Sequence, residues 1–225
     1  MTASPWRPDP PAANPPMFNL TPMVKRLAIV TVALHIIRIV LPPEWQQLWI
    51  LNFGFVPAYY TVADRFLIPA VLAPITHQFV HGGFLHLGLN MVMLVAFGTG
   101  VERTLGGRRM LLFYLVCGIF GAAFHLVVYP TSVVPVVGAS GAISGLFGGI
   151  LRLVAVRARQ MGRVVRLLPA AAVWIGLALM TGFIGMPGTG GASVAWAAHV
   201  GGFLAGLALF GFFVPRYDRR PPPSP

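Results

Sequence analysis

Two residues in this chain could work together as nucleophile and base. Ser140 lies in Gly138-Ala139-Ser140-Gly141-Ala142-Ile143-Ser144-Gly145, a run of small residues at the start of an apolar stretch. His199 lies in Ala198-His199-Val200-Gly201-Gly202-Phe203-Leu204-Ala205-Gly206. Glycines let helix backbones approach closely, so each polar residue sits where another helix can come near. A hydroxyl beside a neutral imidazole is the arrangement of nucleophilic catalysis: the base takes the proton as the oxygen attacks a carbonyl. A lone serine in an apolar helix more often bonds back to its own backbone, and Ser144 is read that way. The G-x-S-x-G elbow does not apply, because position 142 is Ala and no strand precedes the turn. A histidine among apolar residues at membrane depth is costly and presumed functional. His35 and His125 lack a comparable glycine setting and are read as packing or interfacial residues.

A third constellation is His86 and Asn90. Residues i and i+4 share a helix face, so both project together, either as an interhelical hydrogen-bonding pair or as donors to a developing oxyanion. A third triad member is excluded by counting. The five acids are Asp9, Glu44, Asp64, Glu102 and Asp218, in the tails, the first outer loop and the far end of the second span. Any serine hydrolase built from this chain is therefore a Ser–His dyad. His77 and His81 have the i, i+4 spacing of zinc ligands, but position 78 is Gln, which cannot act as the base of H-E-x-x-H chemistry. No metal and no cofactor is expected, and the two histidines are read as hydrogen bonders that shape the outer loop.

The elements that must position these residues are membrane helices. The 225 residues are 56% hydrophobic and 9% charged, with mean hydropathy +0.77. A soluble domain has about 25% charged residues. The formal charge of +11 falls in short clusters between apolar segments, so it signals topology, not nucleic-acid binding. One cysteine, Cys117, rules out an internal disulfide. Six spans are read near 26–41, 84–102, 109–129, 139–157, 166–186 and 194–214. This gives an all-α, polytopic six-helix domain over 23–215, with an outer loop at 42–83 and proline-rich cytoplasmic tails at 1–22 and 216–225. Basic residues cluster before the first span, after the second, fourth and sixth, and Arg65 stands alone in the opposite-side segments. The positive-inside bias puts both termini in the cytoplasm. Even spans then start on the outer side, which brings His86, Asn90, Ser140 and His199 to one depth. The absence of a leader-like start fits a bacterial plasma membrane.

With these motifs in order, the chain resembles the rhomboid intramembrane serine proteases over about 75–215. The family's G-x-S-G is matched by Gly138, Ser140 and Gly141, its A-H-x-x-G-x-x-x-G by Ala198, His199, Gly202 and Gly206, and its H-x-x-x-N by His86 and Asn90. The upstream histidines look like His77 and His81, and the glutamate closing the second helix like Glu102. The resemblance implies a water-filled cavity open to the outer face. It implies Ser140 as nucleophile, His199 as base, and the Ser140 N–H, His86 and Asn90 as oxyanion donors. Gly138, Gly141, Gly202 and Gly206 are assigned to close helix packing. Partners would be transmembrane protein substrates within the lipid bilayer, cut at or near their membrane segments; the oligomeric state stays open. Two positions depart from the family. Its first-loop Trp-Arg pair has only Arg65-Phe66 as counterpart. Ser144 also stands where some members place an aromatic against the base. A catalytically inactive relative that binds transmembrane clients is the alternative; a histidine-relay transporter would need internal repeats that are not seen.

Overall fold

The computed structural model describes residues 20–62, 68–184 and 195–215. The tails, Arg65-Phe66 and the segment 187–193 before the last span lie outside the described residues. Helix α1 (Pro22–Ile39) starts with Pro at its first position, where the missing N–H costs nothing. The outer loop follows as α2 (Pro43–Phe53), α3 (Ala58–Thr61), α4 (Ala73–Thr76) and two short 3₁₀ turns. Then come α5 (Phe84–Met93) and α6 (Thr99–Leu105), joined by a π-helical turn over Leu94–Gly98, and α7 (Gly107–Val128), α8 (Ser140–Gln160), α9 (Leu168–Ile184) and α10 (Trp196–Phe213). Among the described residues four stretches are long and apolar enough to cross a membrane: Phe84–Leu105, Gly107–Val128, Ser140–Gln160 and Trp196–Phe213. Leu168–Met180 is a shorter apolar helix, and α1 carries Lys25, Arg26 and Arg38. The protein is a helical, multi-pass membrane protein.

Among the described residues α1, the run α5–α6, α7, α8, α9 and α10 overlap the six expected spans to within a few residues. The outer loop at 42–83 carries short helical elements among its described residues. Pro43 and Glu44 open α2, in which the Trp49 and Phe53 rings lie tilted against each other with centroids 5.0 Å apart.

The centre is the packing of α7, α8 and α10. Lipid tails are as apolar as leucine, so close contact between small residues, rather than burial from water, drives helices together here. A Cβ on Gly202 would overlap the Gly141 carbonyl, and one on Gly206 the Gly145 carbonyl. A Cβ on Gly148 would lie 2.5 Å from the Phe203 carbonyl oxygen, and one on Gly121 of α7 would lie 2.6 Å from that of Ala198. Larger side chains fill the layer towards the other end of the bundle, where Phe113, Tyr114, Ile143, Leu146 and Phe210 are buried. The Phe113 and Phe210 rings meet edge to face at 5.6 Å.

Glu102 ties α1 into this bundle. Its carboxylate accepts from the Met23 and Val24 N–H groups, both at 2.9 Å, and from the Thr21 hydroxyl at 2.5 Å. The first-turn amides of α1 have no helical acceptor of their own, so a carboxylate from α6 caps them. The spacing along the chain gave no sign of this link.

At the opposite end, the outer loop pairs with the segment that leads into Ser140. Phe55 and Val136 form an antiparallel bridge, with N–H···O distances of 2.9 and 2.8 Å. The Ala58 N–H donates to the Ser132 carbonyl at 2.9 Å, and the Thr61 hydroxyl donates to the Pro130 carbonyl.

Candidate active site

Ser140 is the first residue of α8, and His199 is in the first turn of α10. The histidine Nε2 lies 2.7 Å from the serine Oγ. That distance depends on the glycine seam. With Gly202 seated on the Gly141 carbonyl, the starts of α8 and α10 come close enough for a short hydroxyl and an imidazole to touch. Ser144, one turn on, donates to the Ser140 carbonyl at 2.8 Å and is 1% exposed. This is the backbone bond expected of it.

The loop before Ser140 is held by the outer-loop histidines. The Gly138 N–H donates to the His77 carbonyl at 2.9 Å, and the Ala139 N–H points at His81 Nε2 at 3.4 Å. His77 Nδ1 lies 2.8 Å from the Ala73 carbonyl, which it reaches as a donor. Among the described residues no three metal-ligating side chains gather.

Gly138 acts differently from the helix-packing role expected of it. It lies in the loop before α8 with φ +119°, where a side chain is strained, and a Cβ there would sit 2.7 Å from the His86 imidazole. Its small size makes room for the His86 ring, which also meets His81 at a centroid distance of 5.1 Å.

Burial holds the outer-loop imidazoles neutral. His77 is pushed down from 6.5 to about 4 by burial. His81 is pushed down to about 3 by burial and by neighbouring His86. A neutral His81 can accept at Nε2, which the bond from Ala139 requires. In the unfolded chain both return to about 6.5, so below that pH the unfolded state binds more protons than the folded one. Stability is therefore complete above about pH 6.5 and falls with acidification, by up to about 1.4 kcal/mol per pH unit for each histidine. We expect the thermal midpoint in detergent to drop steadily between neutral pH and pH about 4. His77→Gln should flatten that slope.

Ser140, Ser144, His199, His86 and Asn90 line one cavity of about 250 Å³ with Leu89, Met93, Ile143, Trp174, Leu177 and Ala178. Its wall is largely apolar, with the polar groups gathered at the helix starts. Asn90 Nδ2 donates to the His86 carbonyl at 2.8 Å. An amide nitrogen has two donors, so one N–H remains for a ligand. The Ser140 N–H belongs to the first turn of α8, whose amides have no helical acceptor. Neither described carboxylate reaches His199: Glu44 is exposed on α2 and Glu102 caps α1. His35 and His125 are buried, against Phe84 and Tyr129. Trp174 is a lining residue that the motifs did not reveal. It packs on Phe97 and Phe147, with ring centroids 5.6 and 4.6 Å away, and an aromatic in a helix without polar neighbours carries no sequence signal.

The Rhomboid domain family matches residues 70–216, more than half the chain. The chain belongs to the rhomboid family. It is 34% identical to a putative rhomboid protease, YdcA, of Bacillus subtilis over 151 residues, covering 65% of this chain and 69% of that protein. It is 27% identical to rhomboid-like protease 3 of Toxoplasma gondii over 191 residues, 83% and 67% of the two chains. It is also 33% identical to RHOMBOID-like protein 4 of Arabidopsis thaliana over 136 residues, covering 59% of this chain and 31% of that one. The chain thus spans about a third of the plant relative's length.

Proposed function

We propose that this protein is an active intramembrane serine endopeptidase that cuts membrane-anchored proteins at or near their transmembrane segments. The observation that carries this reading is the 2.7 Å approach of His199 Nε2 to Ser140 Oγ on the wall of a cavity shared with His86 and Asn90. Neutral His199 takes the hydroxyl proton as Oγ attacks the substrate carbonyl carbon. The carbonyl oxygen becomes an oxyanion, stabilised by the Ser140 N–H, His86 and the second Asn90 N–H. His199 then protonates the leaving amine, the C–N bond breaks, and an ester on Ser140 remains. Water, deprotonated by His199, hydrolyses the ester and restores the serine. With both termini cytoplasmic, the site faces the outer side of a bacterial plasma membrane, and substrates reach it from the lipid bilayer.

The test is a fluorophosphonate probe on the purified full-length protein, with cleavage of a model transmembrane substrate in liposomes. The adduct should map to Ser140. A well-folded protein that neither labels nor cleaves would be a client-binding relative without activity.

Loss of an oxyanion donor should be graded, not absolute. Asn90→Ala and His86→Ala are each expected to lower kcat by about 10²-fold with a smaller change in KM. Single-turnover cleavage in liposomes would show it; an equal rise in KM would instead assign these residues to substrate binding.

A further inference from the structure

The start of α10 is tied to the end of α7 by side chains as well as by glycine contacts. Trp196 is the first residue of α10, and Tyr129 follows the last residue of α7. The Trp196 indole N–H donates to the Tyr129 hydroxyl at 2.8 Å, and the two rings meet edge to face with centroids 6.4 Å apart. Tyr129 lies in turn against His125, one turn back on α7, with centroids 5.0 Å apart. His125 is near enough to His199 to interact electrostatically. A row of three side chains thus runs from α7 to the turn that carries the base.

The backbone contacts around His199 control distance. A Cβ on Gly121 would lie 2.6 Å from the Ala198 carbonyl oxygen, one on Gly201 would lie 2.4 Å from the Phe124 Cβ, and one on Gly202 would overlap the Gly141 carbonyl. These contacts set how near α10 comes to α7 and α8. Glycine surfaces are smooth, however, and resist rotation of a helix about its own axis only weakly. A side-chain tip about 5–6 Å from that axis moves by about 1 Å when the helix turns by about 10°. A directed hydrogen bond at the first residue of α10 opposes such a turn. Residues at i and i+3 share a helix face, so the orientation of Trp196 is passed to His199 within one turn.

Trp and Tyr also gather at membrane surfaces as interfacial anchors, and Tyr129 is 39% exposed. Anchoring requires the rings but not the bond between them. Phenylalanine at either position keeps a ring and removes the bond, so the two roles separate experimentally.

We propose that Tyr129 and Trp196 are positioning residues for the base: their hydrogen bond fixes the rotation of the first turn of α10 and so holds the His199 imidazole against Ser140. The effect on turnover rests on the Ser140–His199 reading of the site, whereas the effect on the orientation of the His199 ring does not.

Tyr129→Phe, Trp196→Phe and the double variant of the full chain test this by two readouts. In liposome cleavage each single variant should lower kcat about fivefold, as expected for one lost hydrogen bond, with KM and the melting midpoint close to wild type. The double variant should be no slower than either single one, because both remove the same bond. The second readout is ¹⁵N NMR of histidine-labelled protein in detergent, with the His199 signal assigned by its loss in His199→Gln. In wild type Nε2 should show the shift of a nitrogen that accepts a hydrogen bond, and all three variants should move it towards the value of a free imidazole. Should one single variant fail to fold, the other carries the comparison. Unchanged kcat together with an unchanged His199 signal would overturn the proposal. So would losses that add in the double variant, or that appear only in KM or melting, as interfacial anchoring would give. If wild type neither cleaves nor labels with the fluorophosphonate probe, the protease reading fails and the NMR comparison alone decides: a signal that moves in the variants supports positioning, and one that stays refutes it.

Discussion

Ser140→Ala and His199→Ala are each expected to lower cleavage of a transmembrane substrate by about 10³-fold or more, with little change in thermal stability. The two losses should not add. The hydroxyl is a weak nucleophile without the imidazole, and the imidazole has no oxygen to activate without Ser140. The double variant should therefore be about as inactive as either single one. The 2.7 Å contact gives this expectation its basis, since the proton moves directly between the two atoms. The check is single-turnover cleavage by all three variants in liposomes, with melting curves to show that each is folded. Substantial residual activity in His199→Ala alone would mean another group takes the proton, and the dyad would be wrong.

The second large effect comes from a residue that touches no substrate. Gly202→Val would force side-chain carbons into the Gly141 carbonyl. Backbone cannot rotate away as a side chain can, so α10 must withdraw from α8. Overpacking of this kind costs about 1–3 kcal/mol. The functional loss should exceed what that destabilisation explains, because a shift of about 1 Å at the dyad costs about 10²-fold. Gly211 on the same helix is exposed, and a Cβ there would meet nothing within 4 Å. Gly211→Val is therefore the internal control and should be neutral. Comparing melting midpoints with fluorophosphonate labelling rates decides the matter. If Gly202→Val loses stability but labels at the wild-type rate, the seam would serve folding without setting the dyad distance.

Much of this protein was legible before any coordinate. Helix number and length follow from the cost of unpaired backbone groups in hydrocarbon, which obliges the chain to write each span as a run of apolar residues. The site residues stood out for the same reason: a serine, an asparagine and two histidines among apolar neighbours are conspicuous because they are expensive there. Ser144 reads as a backbone bonder, since a hydroxyl in a helix has its own i−4 carbonyl in reach, and it donates to the Ser140 carbonyl.

What the tertiary structure alone decided are the relations between distant segments. The Glu102 cap on α1, the bridge between Phe55 and Val136, and the grip of His77 and His81 on the loop before Ser140 join residues separated by tens of positions. Such bonds leave no periodicity, because at least one partner in each is a backbone amide or carbonyl, which is the same at every position. The glycine spacings permitted close packing but did not choose the partner; only the assembled bundle seats Gly202 on Gly141 and Gly206 on Gly145, and gives Gly138 to His86 instead of a helix.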